Sequence, residues 1–348
     1  MNKWITIRGN RHSFQLDRRT VLMIILLAVA NLAAVVICVG LGSKTISPAG
    51  VIRVLLGIGD SSDSMIIFSL RMPRVLIAVM VGSALAVSGA LLQGIVRNPL
   101  TSPDMIGITG GASLGTVVFI LYFSHLSIRF MPLSAIIGAF AAAFLIYLFA
   151  YRRGITPLRL VLIGIGMATA LTAVTYMLIL TASFTPTAVA VKAFTFMTGS
   201  IFGVSWEKDV STLLPWIIVL FPIALIYARH LNVQELGDEV ATSVGSSVHV
   251  KRTILLIISV ALAGAAVAIG GAINFIGLMA PHIARKLVGP SYGGVIPVSA
   301  LIGSLVLLLS DLVARVAFIP LDIPAGVFTA AIGAPFFIYL LYRHRNGS

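Results

Sequence analysis

The chain has 348 residues, of which 59% are hydrophobic and 10% charged, and its formal net charge is +13. A soluble domain carries about 25% charged residues, so a soluble enzyme and a disordered chain are excluded, and the single cysteine, Cys38, excludes a disulfide scaffold. A membrane-crossing helix needs roughly 20 mostly apolar residues, and this composition leaves an all-α polytopic membrane protein.

Taken in chain order, residues 1–20 hold Lys3, Arg8, Arg11, Arg18 and Arg19 and read as a cytoplasmic basic tail. The run from Val21 to Gly42 is too long for the apolar part of a signal peptide and reads as an uncleaved first helix. Further apolar runs lie at 73–96, 104–123, 131–150, 158–181, 211–229, 253–272, 274–288, 295–315 and 324–342. The eighth span, 274–288, is short and interrupted by Pro281 and His282. Alternation from an inner N-terminus puts Lys and Arg inside over outside by about two to one. That bias supports an even number of spans with both termini cytoplasmic. The chain is then a single ten-helix domain over 21–342, with a second cytoplasmic tail at 343–348. Anionic lipid is a sufficient partner for the basic loops, and no nucleic-acid role is needed.

Three links carry structure of their own. Residues 47–57 begin Ser47-Pro48 and end at Gly57, the punctuation of a short helix, placed here at the outer surface. Residues 192–206 are apolar but broken by Gly199 and Gly203, and are expected to dip back into the membrane. The polar inner loop 230–252 contains Glu235, Asp238 and Glu239, with breaks at Gly237 and Gly245, and reads as a short exposed helix or as a solvated connector. Glycines and alanines within the spans, such as Gly82, Gly89, Gly264 and Gly303, let helices approach closely.

Catalytic machinery is missing. There is no Gly-Lys-Ser/Thr phosphate loop, no His-Glu-x-x-His and no paired cysteine. The six histidines are scattered, so no resident metal or cofactor is expected. Asp311 is the acid placed clearly inside a span, with Arg315 four residues on, and the two are expected to neutralise each other. So few membrane acids disfavour an ion-coupled secondary carrier, which is kept as the rival reading from another class. An intramembrane enzyme has only His282 with Asn274 as a candidate pair, and a structural histidine explains it more simply. Arg71 and Arg74 flank Pro73 before the second span, and Arg315 ends the ninth. Outer arginines run against the positive-inside trend. They are explained either by snorkelling or by an acidic partner outside.

Several strings together resemble the permease family of iron–siderophore, haem and cobalamin importers (FecCD-type ABC permeases). They are LRMPRVL at 70–76, GSALAVSGALLQGIVRNPLTSPDMIGITGGASLG at 82–115, MTGSIFGVSW at 197–206, ELGDEVATSVG at 235–245 and GGAINFIGLMAPHIARKLVG at 270–289, with SDLVAR and IPLDIPAGVFTAAIGAPFFIYLL between 310 and 341. The resemblance covers about 21–342. Asp322 stands where Glu is frequent in the family, and Thr101 where Ala is.

The resemblance implies a bacterial inner-membrane permease subunit, without its own ATPase site, that moves a ferric siderophore inward; haem or cobalamin is the alternative cargo. It implies a second permease subunit, a paralogue in preference to a second copy. Two ATPase subunits and an extracytoplasmic binding protein complete the importer. It assigns binding-protein docking to Arg71, Arg74 and Arg315. Coupling to the ATPase falls on Glu235, Leu236, Gly237, Asp238, Glu239, Ala241 and Gly245. The translocation path falls on Met167, Thr198, Gly199, Ser200, Phe328 and Thr329.

Overall fold

The computed structural model describes residues 4–8, 13–123, 125–150, 157–181, 187–319 and 321–345. Two strands open the chain, β1 (Trp4–Arg8) and β2 (Ser13–Asp17), paired antiparallel with Trp4 opposite Asp17. The basic N-terminal segment is therefore a hairpin, where the sequence reading placed only a tail. Asp17 ends β2 and caps the next element, its side chain accepting from the Arg19 N–H.

The helices follow as α1 (Arg18–Gly40), α2 (Pro48–Leu55), α3 (Ser61–Met65), α4 (Met72–Val96), α5 (Ile108–Tyr122), α6 (Met131–Ala150), α7 (Pro157–Thr181) and α8 (Thr187–Met197). The second half adds α9 (Ser211–Gln234), α10 (Asp238–Ser243), α11 (Val248–Gly270), α12 (Ile276–Val288), α13 (Tyr292–Val316) and α14 (Ala325–Arg345). Single wide turns of π-helix precede α4 (Ile66–Arg71) and α9 (Trp206–Val210). The ten expected spans are α1, α4, α5, α6, α7, α9, α11, α12, α13 and α14. Eight are long and apolar enough to cross a membrane; α5 and α12, with 15 and 13 residues, are too short to do so as unbroken helices.

Local signals explain the short elements. Ser47 caps α2 by accepting from the Gly50 N–H at 3.1 Å, Pro48 opens it, and Gly57 leaves it at φ 79°. At 192–206, the helix begins before the glycines: α8 stops at Met197, and Gly199 and Gly203 both take positive φ in the non-helical link that follows.

Packing is graded across the bundle. α4, α11 and α13 are buried over most of their length, whereas α1, α7, α9 and α14 bury less than a third of their apolar stretches and face outward. Small residues make the central contacts. Gly82 of α4 lies against the Gly303 carbonyl of α13, and Gly303 against the Gly82 carbonyl, so neither tolerates a Cβ. Gly89 of α4 meets the Gly277 carbonyl of α12 in the same way. Lipid offers no hydrophobic drive for helix association, so these backbone approaches and the dispersion they allow hold the core. Polar side chains supply the rest: Ser88 and Ser259 exchange hydrogen bonds between α4 and α11, and Asn31 of α1 donates to the Leu301 carbonyl of α13 at 2.9 Å.

Candidate functional site

The two short spans are short because the chain breaks just before each. After α4, Arg97 adopts a left-handed conformation, the Asn98 side chain accepts from the Leu100 N–H, and Pro99 and Pro103 forbid helix until Gly107, at φ 82°, opens α5. After α11, Gly271 turns at φ 74°, and Phe275, at φ 68°, opens α12. The two breaks meet. The Asp104 carboxylate accepts from the Phe275 N–H at 3.2 Å, capping α12, and Pro103 packs on Gly277. Thr101 and Ser102 are fully buried there. Non-helical backbone at such depth requires protein around it, and the neighbours supply it. The Ala272 N–H donates to the Phe196 carbonyl, and the Gly326 N–H to the Gly199 carbonyl at 2.8 Å. The start of α14, the end of α8 and both breaks thus form one backbone junction.

A cavity of about 860 Å³ opens beside this junction between α5 and α7. Asp104 and Met105 line one side, Thr109, Gly110 and Ser113 come from α5, and Met197, Ala272, Asn274 and Phe275 close the junction side. α7 contributes the face Ile165, Ala168, Thr169, Thr172, Ala173 and Tyr176. Its Gly164 sits against Met105 and Ile106, which keeps α7 on the broken segment.

None of the path residues expected from sequence is among those lining this cavity. Met167 is half-buried on α7, beside the lining face. Thr198 is exposed, and Gly199 and Ser200 lie in the junction. Phe328 is half-buried, and Thr329 is fully buried with its hydroxyl donating to the Gly326 carbonyl. Asp104 was missed. The sequence counted Asp311 as the one acid clearly inside a span, and only the pairing of two breaks 171 residues apart brings Asp104 against the start of α12. The signal was present as two prolines and an Asx turn at the entry to a span.

At the outer end, the three arginines are engaged within the chain. Arg71, 6% exposed, donates to the carbonyls of Val39 and Gly40 at 2.7 and 2.9 Å and to that of Lys44 at 2.5 Å. Arg74, 7% exposed, donates through Nε to Asp311 and through both terminal nitrogens to Asp322 at 2.6 and 2.8 Å. Arg315 donates to the Cys38 carbonyl. The expected Asp311–Arg315 neutralisation is corrected here. One helical turn stacks the two residues, but the Asp311 carboxylate is taken by Arg74 from α4, and the Arg315 guanidinium reaches the open carbonyl end of α1. Phe202, well exposed, lies 5.8 Å from the Arg74 guanidinium.

At the inner end, α10 is a single exposed turn and a half between Gly237 (φ 107°, ψ 153°) and Gly245 (φ 80°). Ala241 is its buried anchor. Leu236, Val240 and Val244 are exposed at four-residue spacing and present an apolar stripe. Glu235 and Glu239 flank it, both exposed. Asp238 bridges Arg97, at the end of α4, and Arg252, at the start of α11. Slight burial pushes its carboxyl up, but the hydrogen bonds and charges of Arg252 and Arg97 outweigh that and hold it below the usual carboxylate range.

The model of the FecCD transport family matches residues 26–343 of this chain. The chain belongs to the FecCD family. FecCD chains are permease subunits of ABC transporters, whose ATPase is a separate subunit. Among curated FecCD relatives, the chain is similar to the protein named probable siderophore transport system permease protein YfhA of Bacillus subtilis, 44% identical over 95% of this chain and 97% of the relative. It is also similar to the achromobactin transport system permease protein CbrC of Dickeya dadantii, 41% identical over 99% and 98%. A solved inward-facing structure assigned to the metal-chelate type of ABC transporter superposes with a TM-score of 0.79 at 30% identity, covering 92% of this chain and 99% of that one. The FecCD assignment and the apolar helices together make this a multi-pass protein of the bacterial inner membrane.

Proposed function

We propose that this chain is the permease subunit of an ABC importer that carries a ferric siderophore into the cytoplasm, fed by an extracytoplasmic binding protein and driven by two copies of a separate ATPase. The observation that carries the reading is the backbone junction beside the cavity, in a FecCD chain. Broken spans at membrane depth are what a polar solute needs, because they place hydrogen-bonding groups where lipid offers none. The chain supplies path, docking surface and coupling element, and no bond chemistry. Its domain plan is one permease domain over 21–342, with cytoplasmic segments at 1–20 and 343–348.

The inner stripe of Leu236, Val240 and Val244, framed by Glu235, Gly237, Asp238, Glu239, Ala241 and Gly245, is the surface that sits on the ATPase. The path runs along the face carrying Met167, Thr198, Gly199, Ser200, Phe328 and Thr329, against a second permease subunit. That subunit is a paralogue in preference to a second copy. Docking of the binding protein falls at the outer end held by Arg71, Arg74 and Arg315. Guanidiniums so buried support docking by fixing the loops around them, and the exposed Phe202, Ile319 and Leu321 supply the contact.

The test is iron-55 uptake by cells lacking this gene and by the complemented strain, with trihydroxamate, tricatecholate and citrate chelates. Restored uptake of a chelate, abolished when the ATPase Walker lysine is changed, supports the importer. Uptake that survives loss of ATPase activity and collapses with a protonophore overturns it in favour of the ion-coupled carrier. Purification of the tagged chain from native membrane decides the partner: a second, different permease supports the heterodimer, and the ATPase without one overturns it.

A further inference from the structure

Among the described residues lining the cavity between α5 and α7, Asp104 is the one that carries a charge. One of its oxygens accepts from the Phe275 N–H, and among the described residues nothing meets the other. Two hydroxyls on the same wall are also unspent. Elsewhere on α5 and α7, and on α8, threonines close their hydroxyls on the carbonyl one turn back: Thr116 on Ala112 at 2.9 Å, Thr175 on Leu171 at 2.7 Å and Thr195 on Val191 at 3.0 Å. Thr109 and Ser113, one turn apart on α5, are 4% and 1% exposed, and their hydroxyls reach no partner among the described residues. Buried polar groups are normally satisfied, and those that are not call for an explanation.

We propose that this cavity is a subsite for a hydrogen-bond-donating arm of the transported chelate: an amide N–H, a hydroxyl or an ammonium group, and not its iron-ligating oxygens. The inference rests on the importer reading above and deepens it. An ionised carboxylate accepts only, whereas each hydroxyl can accept or donate, so Asp104 sets the match to a donor and the hydroxyls can follow it. The anionic oxygens around iron would face Asp104 with like charge, which is a penalty on that orientation. The volume of about 860 Å³ suits such an arm or a small chelate. Ile165, Ala168 and Ala173 of α7 give its methylenes an apolar wall. The chelate therefore travels with its organic arm in this subunit and its metal toward the path between subunits.

The experiment uses the complete importer in proteoliposomes and measures ATP-driven uptake of paired ferric chelates. One pair is a linear trihydroxamate and the other a tricatecholamide, each made with free and with N-methylated backbone amides. The wild type should favour the N–H form by about tenfold in kcat/KM. Asp104→Asn keeps an oxygen for Phe275 and turns an amine toward the cavity, so the preference should fall below about threefold. The binding protein is common to both, so its own selectivity cancels in that comparison. Thr109→Val and Ser113→Ala leave the Asp104–Phe275 bond untouched and should lower the preference in the same direction; they decide the matter if Asp104→Asn does not assemble. A preference unchanged in the variants overturns the subsite and leaves the importer standing. ATP-driven uptake of no chelate by the wild type overturns the importer reading itself.

Discussion

Arg74 binds two carboxylates at once, Asp311 through Nε and Asp322 through its terminal nitrogens, and so pins α4, α13 and the link into α14 with one guanidinium. Removing one partner of a buried pair strands the others. Arg74→Ala should therefore destabilise the subunit by about 3–5 kcal/mol, seen as a lower thermal midpoint in detergent. Arg74→Lys should rescue little, because a point charge cannot reproduce the planar fork. Asp322→Asn should cost less than Asp311→Asn, since the Asp322 side chain keeps 24% of its surface in solvent against 4% for Asp311.

The outer end also separates stability from docking. Leu321→Ser and Phe202→Ser change side chains that are 69% and 66% exposed. Both should weaken co-sedimentation with the binding protein and leave the thermal midpoint unchanged. Arg71→Gln should lower the midpoint, because three carbonyls lose their donor. Unchanged binding with both serine variants would remove this surface from the docking site.

Contacts between glycines set a sharper limit. Ala at Gly82 would drive its methyl into the Gly303 carbonyl, and Ala at Gly89 into that of Gly277. Backbone cannot yield as a flexible side-chain tip does. Gly89→Ala and Gly82→Ala should each reduce the yield of monodisperse protein severely, as read by fluorescence-detected size exclusion. Gly166→Ala, with open space around it, is the control that should not.

Gly237 sits at φ 107° and ψ 153°, a region that side chains avoid at a cost of about 1–3 kcal/mol. Gly237→Ala should re-aim α10 without touching the bundle. ATP hydrolysis should persist while uptake per ATP falls about tenfold, since 1.4 kcal/mol is one decade. Normal coupled uptake would exclude α10 from coupling.

Asp238 gives the inner loop a defined pH dependence. Its folded pKa is lowered, so its contribution is complete above the unfolded carboxylate value of about 3.9 and is lost as pH falls through the folded value. Hydrogen exchange in residues 235–247 should be insensitive to this group from pH 7.5 to about pH 5 once the intrinsic rate is corrected. Asp238→Asn should raise exchange across that whole range by freeing Arg97 and Arg252. The group is half-exposed, so the effect should stay below about 1 kcal/mol.

The sequence spoke clearly where a signal is local or periodic. Apolar length marked the spans, Ser47-Pro48 and Gly57 marked α2, and Gly237 and Gly245 bracketed α10. It was silent where two distant segments must meet. Asp311 has Arg315 one turn away in sequence, but Arg74 comes from 237 residues earlier and wins on geometry. Asp104 looked like the polar edge of a span until its bond to Phe275 set it at the junction of two broken spans. The N-terminal hairpin escaped because its pairing rests on cross-strand register between short, charge-flanked strands, while the basic residues suggested a plain tail. The basic residues Arg152 and Arg153, counted toward the inner excess, lie outside the described residues.

The first helix depends on residues made long after it. The outer carbonyls of α1 are met by Arg71 from the next span and by Arg315 from the ninth, 277 residues downstream of Cys38. During synthesis, α1 can enter the bilayer on its own hydrophobicity; Arg71 of the next span then meets the Val39 and Gly40 carbonyls, while the Cys38 carbonyl waits for Arg315 on the penultimate span. A chain truncated before α13 would keep Arg71 on the end of α1 but lose Arg315 from the Cys38 carbonyl and the Leu301 carbonyl from Asn31, and α1 would be held less firmly. The outer end of α1 is thus completed late, by one arginine from the penultimate span.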